Sequence, residues 1–294
     1  MSSNICIATI LVSLFVFTGC SRQLDIYISP NGSDLNKGTK KEPLASLMAA
    51  REHAAALVKN NPGKDITVWL GEGVYHVADP VVFRYEDSGQ AGASIHFRAV
   101  QDGKVVISGG KRIRDWQRKA EGVWAVPVKG LTGQEVSIRE LFIDGKRARR
   151  SRHPNTGYLR VKQAGEDRRT NFYFTEGDFP IPENIRDIEL TLLHDWSVSR
   201  IHLDTIIATQ NWLSTGDSIG ARQPSFFNID NWEKQPRYFL ENAPEFMDED
   251  YEWYFDHEEQ MVYLKLPEMQ HPDSMNIVVP VSEGLLQFSI CRCL

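Results

Sequence analysis

The chain has 294 residues, of which 41% are hydrophobic, and a formal net charge of −6. That apolar content is sufficient for a buried core, so an intrinsically disordered protein is excluded. A mildly acidic chain is poorly suited to neutralising phosphates, so we expect no nucleic-acid partner.

The first twenty residues have the pattern of an export signal. Residues 5–17 are almost wholly apolar and too short to span a bilayer, and Thr18-Gly19-Cys20 follows them. A small residue before a cysteine at this place resembles a bacterial lipobox. We therefore predict that residues 1–19 are a lipoprotein signal peptide and that Cys20 is lipidated. This implies export and anchoring in the outer membrane, in the periplasm or at the cell surface; an ordinary cleaved signal or a short anchor helix is the alternative.

Residues 20–110 are predicted to form an N-terminal cap and a stack of short strands. An alternating strand at 25–29 precedes a helix within 43–60, for which Ser46 is the expected N-cap. Short, nearly continuous apolar runs follow at 66–70, 81–83, 95–97 and 105–107, as expected for strands buried by stacking. The helix is suited to covering one open end of that stack.

Residues 111–274 are predicted to form an inserted antiparallel β-sandwich. Asp144-Gly145 between two strands is a strong hairpin signal, because this dipeptide accepts positive φ. Further strands are predicted at 188–193, 198–203, 206–209, 252–255 and 261–264. Residues 275–280 and 285–290 resemble the earlier strands, so residues 275–294 are predicted to return to the first domain.

Two segments carry candidate substrate-binding residues. The basic run at 146–153 includes Arg150, Arg152 and His153, and arginine binds carboxylates through paired hydrogen bonds. The alternative for this run is pairing with acidic residues of the protein itself.

The second segment is a predicted hairpin that combines an aromatic face, a titratable ring and a cation. Its candidate binding residues are His194, Trp196 and Arg200, with His202 nearby. Packing in a core is the alternative for this segment.

The sequence indicates no cofactor and no metal site. It lacks a phosphate-binding glycine loop, a His-Glu-x-x-His zinc motif and an EF-hand loop. Asp195, Asp256, Glu86 and Asp87 are available carboxylates, but we expect turns, caps or solvated charges at these positions, so the catalytic residues stay unassigned.

Several ordered motifs resemble right-handed parallel β-helix proteins. They are residues 25–34, Gly38-Thr39, Val68-Trp69-Leu70 with Gly73-Val74-Tyr75, residues 107–110 with Trp116, residues 141–145, residues 149–155 and residues 252–256 with 262–264. Together they are most similar to glycoside hydrolase families 120 and 141, whose β-helix carries an inserted β-sandwich.

The resemblance implies an all-β-dominated fold in which an N-terminal helix caps the first coils of a right-handed parallel β-helix. In those families the helix continues beyond the insertion, and the catalytic carboxylates are expected on later coils that this sequence lacks. We therefore expect a truncated or frameshifted N-terminal part of an exported polysaccharide-degrading protein, inactive by itself. A noncatalytic carbohydrate-binding or surface protein and a polysaccharide lyase are the alternatives.

Overall fold

A computed structural model describes residues 23–90, 92–131, 137–220 and 228–289 of the chain. The predicted signal peptide and Cys20 lie outside the described residues. Within them, strands dominate, and no helix has the length and apolar character needed to cross a membrane.

The described elements comprise one α-helix, four short 3-10 helices and 24 strands. The α-helix is α1 (Leu47–Asn60), and the 3-10 helices are Tyr85–Asp87, Ala208–Gln210, Pro244–Phe246 and Pro272–Ser274. The strands are β1 (Leu24–Ile28), β2 (Ile66–Leu70), β3 (Gly73–His76), β4 (Val81–Phe83), β5 (Ile95–Ala99), β6 (Val105–Ser108), β7 (Gly110–Arg112), β8 (Gln117–Ala120), β9 (Val123–Pro127), β10 (Phe142–Ile143), β11 (Lys146–Arg147), β12 (Arg149–Arg150), β13 (Arg152–His153), β14 (Leu159–Arg160), β15 (Gln163–Ala164), β16 (Asn171–Tyr173), β17 (Glu189–His194), β18 (Ser197–Ile207), β19 (Trp212–Thr215), β20 (Arg237–Glu241), β21 (Glu252–Asp256), β22 (Met261–Lys265), β23 (Ile277–Pro280) and β24 (Leu286–Phe288).

The chain divides into two compact units. Of the described residues, unit 1 holds those up to Tyr75, those within 80–108 and those from Leu285 onward, and unit 2 holds those within 76–79 and 109–284. Unit 2 therefore extends beyond the predicted boundary at residue 274. The reason is that β23, which the sequence pattern assigned to the first domain, pairs antiparallel with β10 and β7 of unit 2.

Unit 1 is built from parallel strands stacked in register. In the sheet β1-β2-β5, Ile26 lies opposite Val68, and Val68 lies opposite Phe97. β4 pairs parallel with β24, and β3 pairs with β6. Equivalent positions of successive strands thus carry apolar side chains that stack on one another.

Helix α1 begins where the sequence predicts. The Ser46 hydroxyl accepts a hydrogen bond from the backbone N–H of Ala49 at 3.1 Å, which satisfies one of the free donors of the first turn. The residues that α1 buries recur at three- and four-residue intervals and are Leu47, Ala50, Ala54 and Val58. The helix lies beside β1 and β2.

Among its described residues, unit 2 contains two apolar cores, and the inserted β-sandwich stays a prediction. The sheets β11-β10-β23-β7 and β12-β21-β22-β9-β8 share one core, whose largest members are Trp116 and Trp253. The strands β13 to β20 form a separate sheet with its own core, which includes Phe172, Tyr238 and Leu240. The predicted Asp144-Gly145 hairpin is confirmed, with φ of 50° and 78° at the two turn residues.

β18 is a single long strand where the pattern predicts two. Its first part pairs with β17 and its last part with β19, and the register shifts between Leu203 and Thr205. Such a bulge bends the strand and does not end it. The extended chain therefore continues through the polar residues that separated the two predicted strands.

Candidate functional site

One face of the β20-β17-β18 sheet carries an unusual concentration of charge. Alternation along β17 turns Leu190 and Leu192 into the core, so Glu189 and Thr191 lie on the opposite face. The cross-strand neighbours on that opposite face are Arg152, Glu241, Glu189 and His202 in one row and Phe239, Thr191 and Arg200 in the next. We call this surface the charged face.

Glu189 and Glu241 lie directly opposite each other on adjacent strands. Like charges at such a pair are destabilising unless cations compensate them. Glu189 is only 3% exposed, and arginines bind both of its oxygens. Arg139 pairs with Oε2, and Nη1 of Arg150 lies 3.5 Å from Oε1.

Arg150 is the buried cation of this cluster, with 9% of its side chain exposed. Burial lowers the pKa of Arg150, and the Glu189 and Glu241 carboxylates oppose that shift. Its Nε donates to Oδ1 of Asn242 at 3.1 Å, and its guanidinium lies 6.0 Å from the ring centre of Trp253. These contacts fix the guanidinium against the carboxylate pair.

Glu241 is the second carboxyl group of the pair. Burial raises the pKa of Glu241 above its ordinary value; Arg150 opposes the shift and Glu189 adds to it. The Thr191 hydroxyl lies 3.4 Å from Oε2 of Glu241, within hydrogen-bonding distance. The pair therefore consists of Glu189, which two arginines contact, and Glu241, whose pKa burial raises.

Arg152 covers the edge of the charged face. Its guanidinium lies 3.8 Å from the ring centre of Phe239 and 6.0 Å from that of Tyr158, and Nη2 donates to the carbonyl oxygen of Gly157 at 2.8 Å. Burial lowers the pKa of Arg152, and Glu241 opposes this. The stacking orients the cation and leaves the side chain of Tyr158 about half exposed.

Arg200 and His202 form the solvent-exposed rim. They lie opposite Thr191 and Glu189 respectively. Arg200 makes no hydrogen bond or ion pair with any residue in the described part of the chain. The ring of His202 lies 6.4 Å from that of His257, which is 3.1 Å from an oxygen of Asp187.

The structure thus divides the six predicted binding residues. Arg150, Arg152 and Arg200 come together at the charged face. His153 and His194 lie on its reverse, against the core. His194 is buried, with Nε2 3.0 Å from the Ser199 hydroxyl, and burial lowers the pKa of its ring.

Trp196 lies apart from both groups, at the tip of the hairpin that joins β17 to β18. Its side chain is 55% exposed, and its ring centre is 4.5 Å from that of Trp232. The predicted hairpin is therefore present, but its histidine, tryptophan and arginine do not meet at one point.

Sequence reasoning missed Glu189, Glu241 and Arg139. The available signal was a charged residue inside an apolar strand, since Glu189 opens the run Glu-Leu-Thr-Leu-Leu. Of the carboxylates that the sequence offered, Asp256 and Asp87 accept backbone N–H groups in turns, as expected. Among the described residues, no cluster of three or more histidine, cysteine or acidic side chains could hold a metal ion.

Comparisons with known proteins give a fold likeness and one short sequence match. No family model matches the chain. An 84-residue stretch, 29% of this chain, is 43% identical to 15% of the uncharacterized protein YwoF of Bacillus subtilis (strain 168).

A solved structure described as a glycoside hydrolase aligns with 91% of this chain and 48% of its own, with a TM-score of 0.76 and 25% identity. XylC in complex with xylose aligns with 91% of this chain and 34% of its own, at a TM-score of 0.42 and 17% identity, which is too slight to carry an argument. The chain therefore has a glycoside hydrolase-like fold, and it spans about half the length of the glycoside hydrolase that it matches.

Proposed function

We propose that this chain is the N-terminal part of an exported glycoside hydrolase-like protein, of the kind found in families 120 and 141, that binds an oligosaccharide or polysaccharide. The observation that carries the proposal is the alignment of 91% of the chain with roughly half of a glycoside hydrolase. Fold likeness alone does not assign a reaction, so the argument also depends on the charged face.

The parallel strands of unit 1 are, in this proposal, the first coils of a right-handed parallel β-helix into which unit 2 is inserted. In-register stacking of Ile26, Val68 and Phe97 supports it. A further support is a cavity of about 800 Å³ in unit 1, lined by apolar side chains that include Leu70, Phe83 and Phe288. A following coil would cover Phe288, which is 68% exposed.

The charged face is better arranged for binding than for hydrolysis. Glycoside hydrolysis needs two carboxyl groups that reach the scissile bond from opposite sides. Glu189 is buried and both of its oxygens are engaged by Arg139 and Arg150, so it is not available to an anomeric carbon. We infer that Glu189 positions the arginines, that the exposed groups contact the saccharide, and that catalysis belongs to later coils.

Saccharide binding without turnover is the test. The chain is titrated calorimetrically with a panel of neutral and acidic oligosaccharides and assayed with aryl glycosides. We expect binding without hydrolysis. His202→Ala and Glu241→Gln should weaken binding, whereas Arg118→Gln, an exposed change on β8, should not.

Two results would overturn this proposal. Binding of no saccharide at all would remove the assigned role. Turnover of an aryl glycoside that is lost in Glu241→Gln would place hydrolysis on the charged face itself.

Export and anchoring are a separate part of the proposal. The apolar run and Thr18-Gly19-Cys20 support lipidation of Cys20. Radiolabelled palmitate supplied to bacteria that express the chain should be incorporated into the wild type and not into Cys20→Ser. Equal labelling of both would show that Cys20 is not the modified residue.

A further inference from the structure

The charged face continues along β18 towards an exposed tryptophan pair. Val198, Arg200 and His202 point outward at two-residue intervals, and Trp196 lies immediately before the strand. With a rise of about 3.3 Å per residue, the distance from Trp196 to His202 is roughly 20 Å, which is long enough for several sugar rings.

Trp196 and Trp232 form an ordered aromatic surface at one end of this row. They are 55% and 66% exposed, and their rings are inclined at 53°. Oδ1 of Asp195 accepts hydrogen bonds from the backbone N–H groups of Trp232 and Glu233, each at 3.2 Å, so the two loops are held together. Exposed indoles present flat apolar surfaces, and these suit the apolar face of a sugar ring.

Arginines are numerous along the same surface, although the whole chain is acidic. Carboxylates accompany them: besides Glu189, Glu233 and Glu241, the exposed Asp204 follows His202 on β18, and Asp195 joins the two tryptophan loops. Glu189 pairs with Arg139 and Arg150, and Glu233 pairs with Arg160 and Arg237. Arg152 donates to a backbone carbonyl.

Arg200 is therefore the arginine of this surface that makes no direct hydrogen bond or ion pair among the described residues, although its charge acts on Glu241 and opposes the rise in the pKa of that carboxyl. An exposed guanidinium presents a planar fork of donors that matches a carboxylate. It lies between the tryptophan pair and the Glu189–Glu241 pair.

We infer that the ligand of this surface is an anionic oligosaccharide that lies along β18, with one ring on Trp196 and Trp232 and a uronic-acid carboxylate on Arg200. This inference depends on the saccharide binding proposed above and adds the substrate class. A neutral saccharide and an acidic peptide are the competing occupants.

Methyl esterification of the uronic acid distinguishes an anionic ligand from a neutral one, because it removes the carboxylate charge and leaves the sugar rings unchanged. The chain is titrated calorimetrically with an oligogalacturonate of fixed length, with its methyl ester, with neutral oligosaccharides and with polyglutamate. We expect the acid to bind about tenfold more tightly than the ester, the range of one charge-assisted hydrogen-bonded pair. Arg200→Gln should abolish that difference, Trp232→Ala should weaken both forms, and Arg118→Gln should change neither.

The possible failures are distinguishable. Equal affinity for acid and ester, or binding of neutral oligosaccharides only, would overturn the anionic ligand and leave saccharide binding intact. Binding of polyglutamate as tight as that of the acid would overturn the sugar-specific role of the tryptophans. Absence of binding to every saccharide would overturn both proposals.

Discussion

Replacing Arg150 by methionine tests the buried ion pair on which the charged face depends. The change keeps an unbranched side chain of similar length and removes the charge. Glu189, only 3% exposed, then keeps one cation, Arg139, whose own side chain is 55% exposed. Nε of Arg150 no longer donates to Asn242.

The expected cost follows from the burial of both partners. Removing one member of a buried pair costs about 3–5 kcal/mol, chiefly because the other charge is left buried. Since Arg139 still contacts Glu189, we expect the lower end, a loss of about 3 kcal/mol in the free energy of unfolding. The double variant Arg150→Met with Glu189→Leu should be less destabilised than Arg150→Met alone, because it leaves neither of these charges buried.

Urea unfolding followed by tryptophan fluorescence measures this loss in unit 2. Six of the seven tryptophans lie in unit 2, and Trp69 alone lies in unit 1. Arg186→Met is the matched control, since it breaks the pair with Glu258, in which both side chains are about 60% exposed. That change should cost less than about 1 kcal/mol. A loss in Arg150→Met no larger than that of the control would refute the reasoning.

Two further predictions concern a cap and a buried histidine. Ser46→Ala should destabilise unit 1 by about 1 kcal/mol because the N-cap hydrogen bond is lost, whereas Ser46→Asp should keep that bond and the stability. Thermal unfolding followed by circular dichroism measures the difference. Equal melting temperatures of the two variants would contradict the prediction. Burial lowers the pKa of His194, so the unfolded state binds the proton more readily, and stability should decline as pH falls below about 6.5 and through the folded-state pKa. His194→Gln should reduce that decline in urea unfolding at a series of pH values, and an unchanged pH dependence would assign it to other groups.

Local patterns in the sequence were sufficient for most elements of unit 1. The strands at 66–70 and 81–83 and the Ser46 cap are confirmed because each depends on a few neighbouring residues: an apolar run, a turn, a hydroxyl before a helix. The separate cores of unit 2 depend on which distant strands pair. Ile277–Pro280 is an apolar run like those of unit 1, and nothing local indicates that it joins β7 and β10.

The residues of the candidate site were likewise predictable only where a local pattern shows them. Arg150 and Arg152 were found because they belong to a visible cluster of basic residues, and Arg200 because it is the cation of a predicted hairpin. Glu189 and Glu241 lie more than fifty positions apart, and only the antiparallel register of β17 and β20 places them side by side. The reverse orientation of His153 and His194 follows from the same register, because alternate residues of a strand face opposite ways.

The long strand β18 influences how the sheet around it unfolds locally. One continuous segment supplies hydrogen-bond partners to β17 before the bulge and to β19 after it. Because both hairpins are built on this one strand, opening of β18 disrupts both, so we expect the amide protons of β17, β18 and β19 to exchange with solvent as a single cooperative block. The backbone that carries Arg200 is then as rigid as the sheet interior beneath it, so a ligand bound there would cause little loss of backbone entropy.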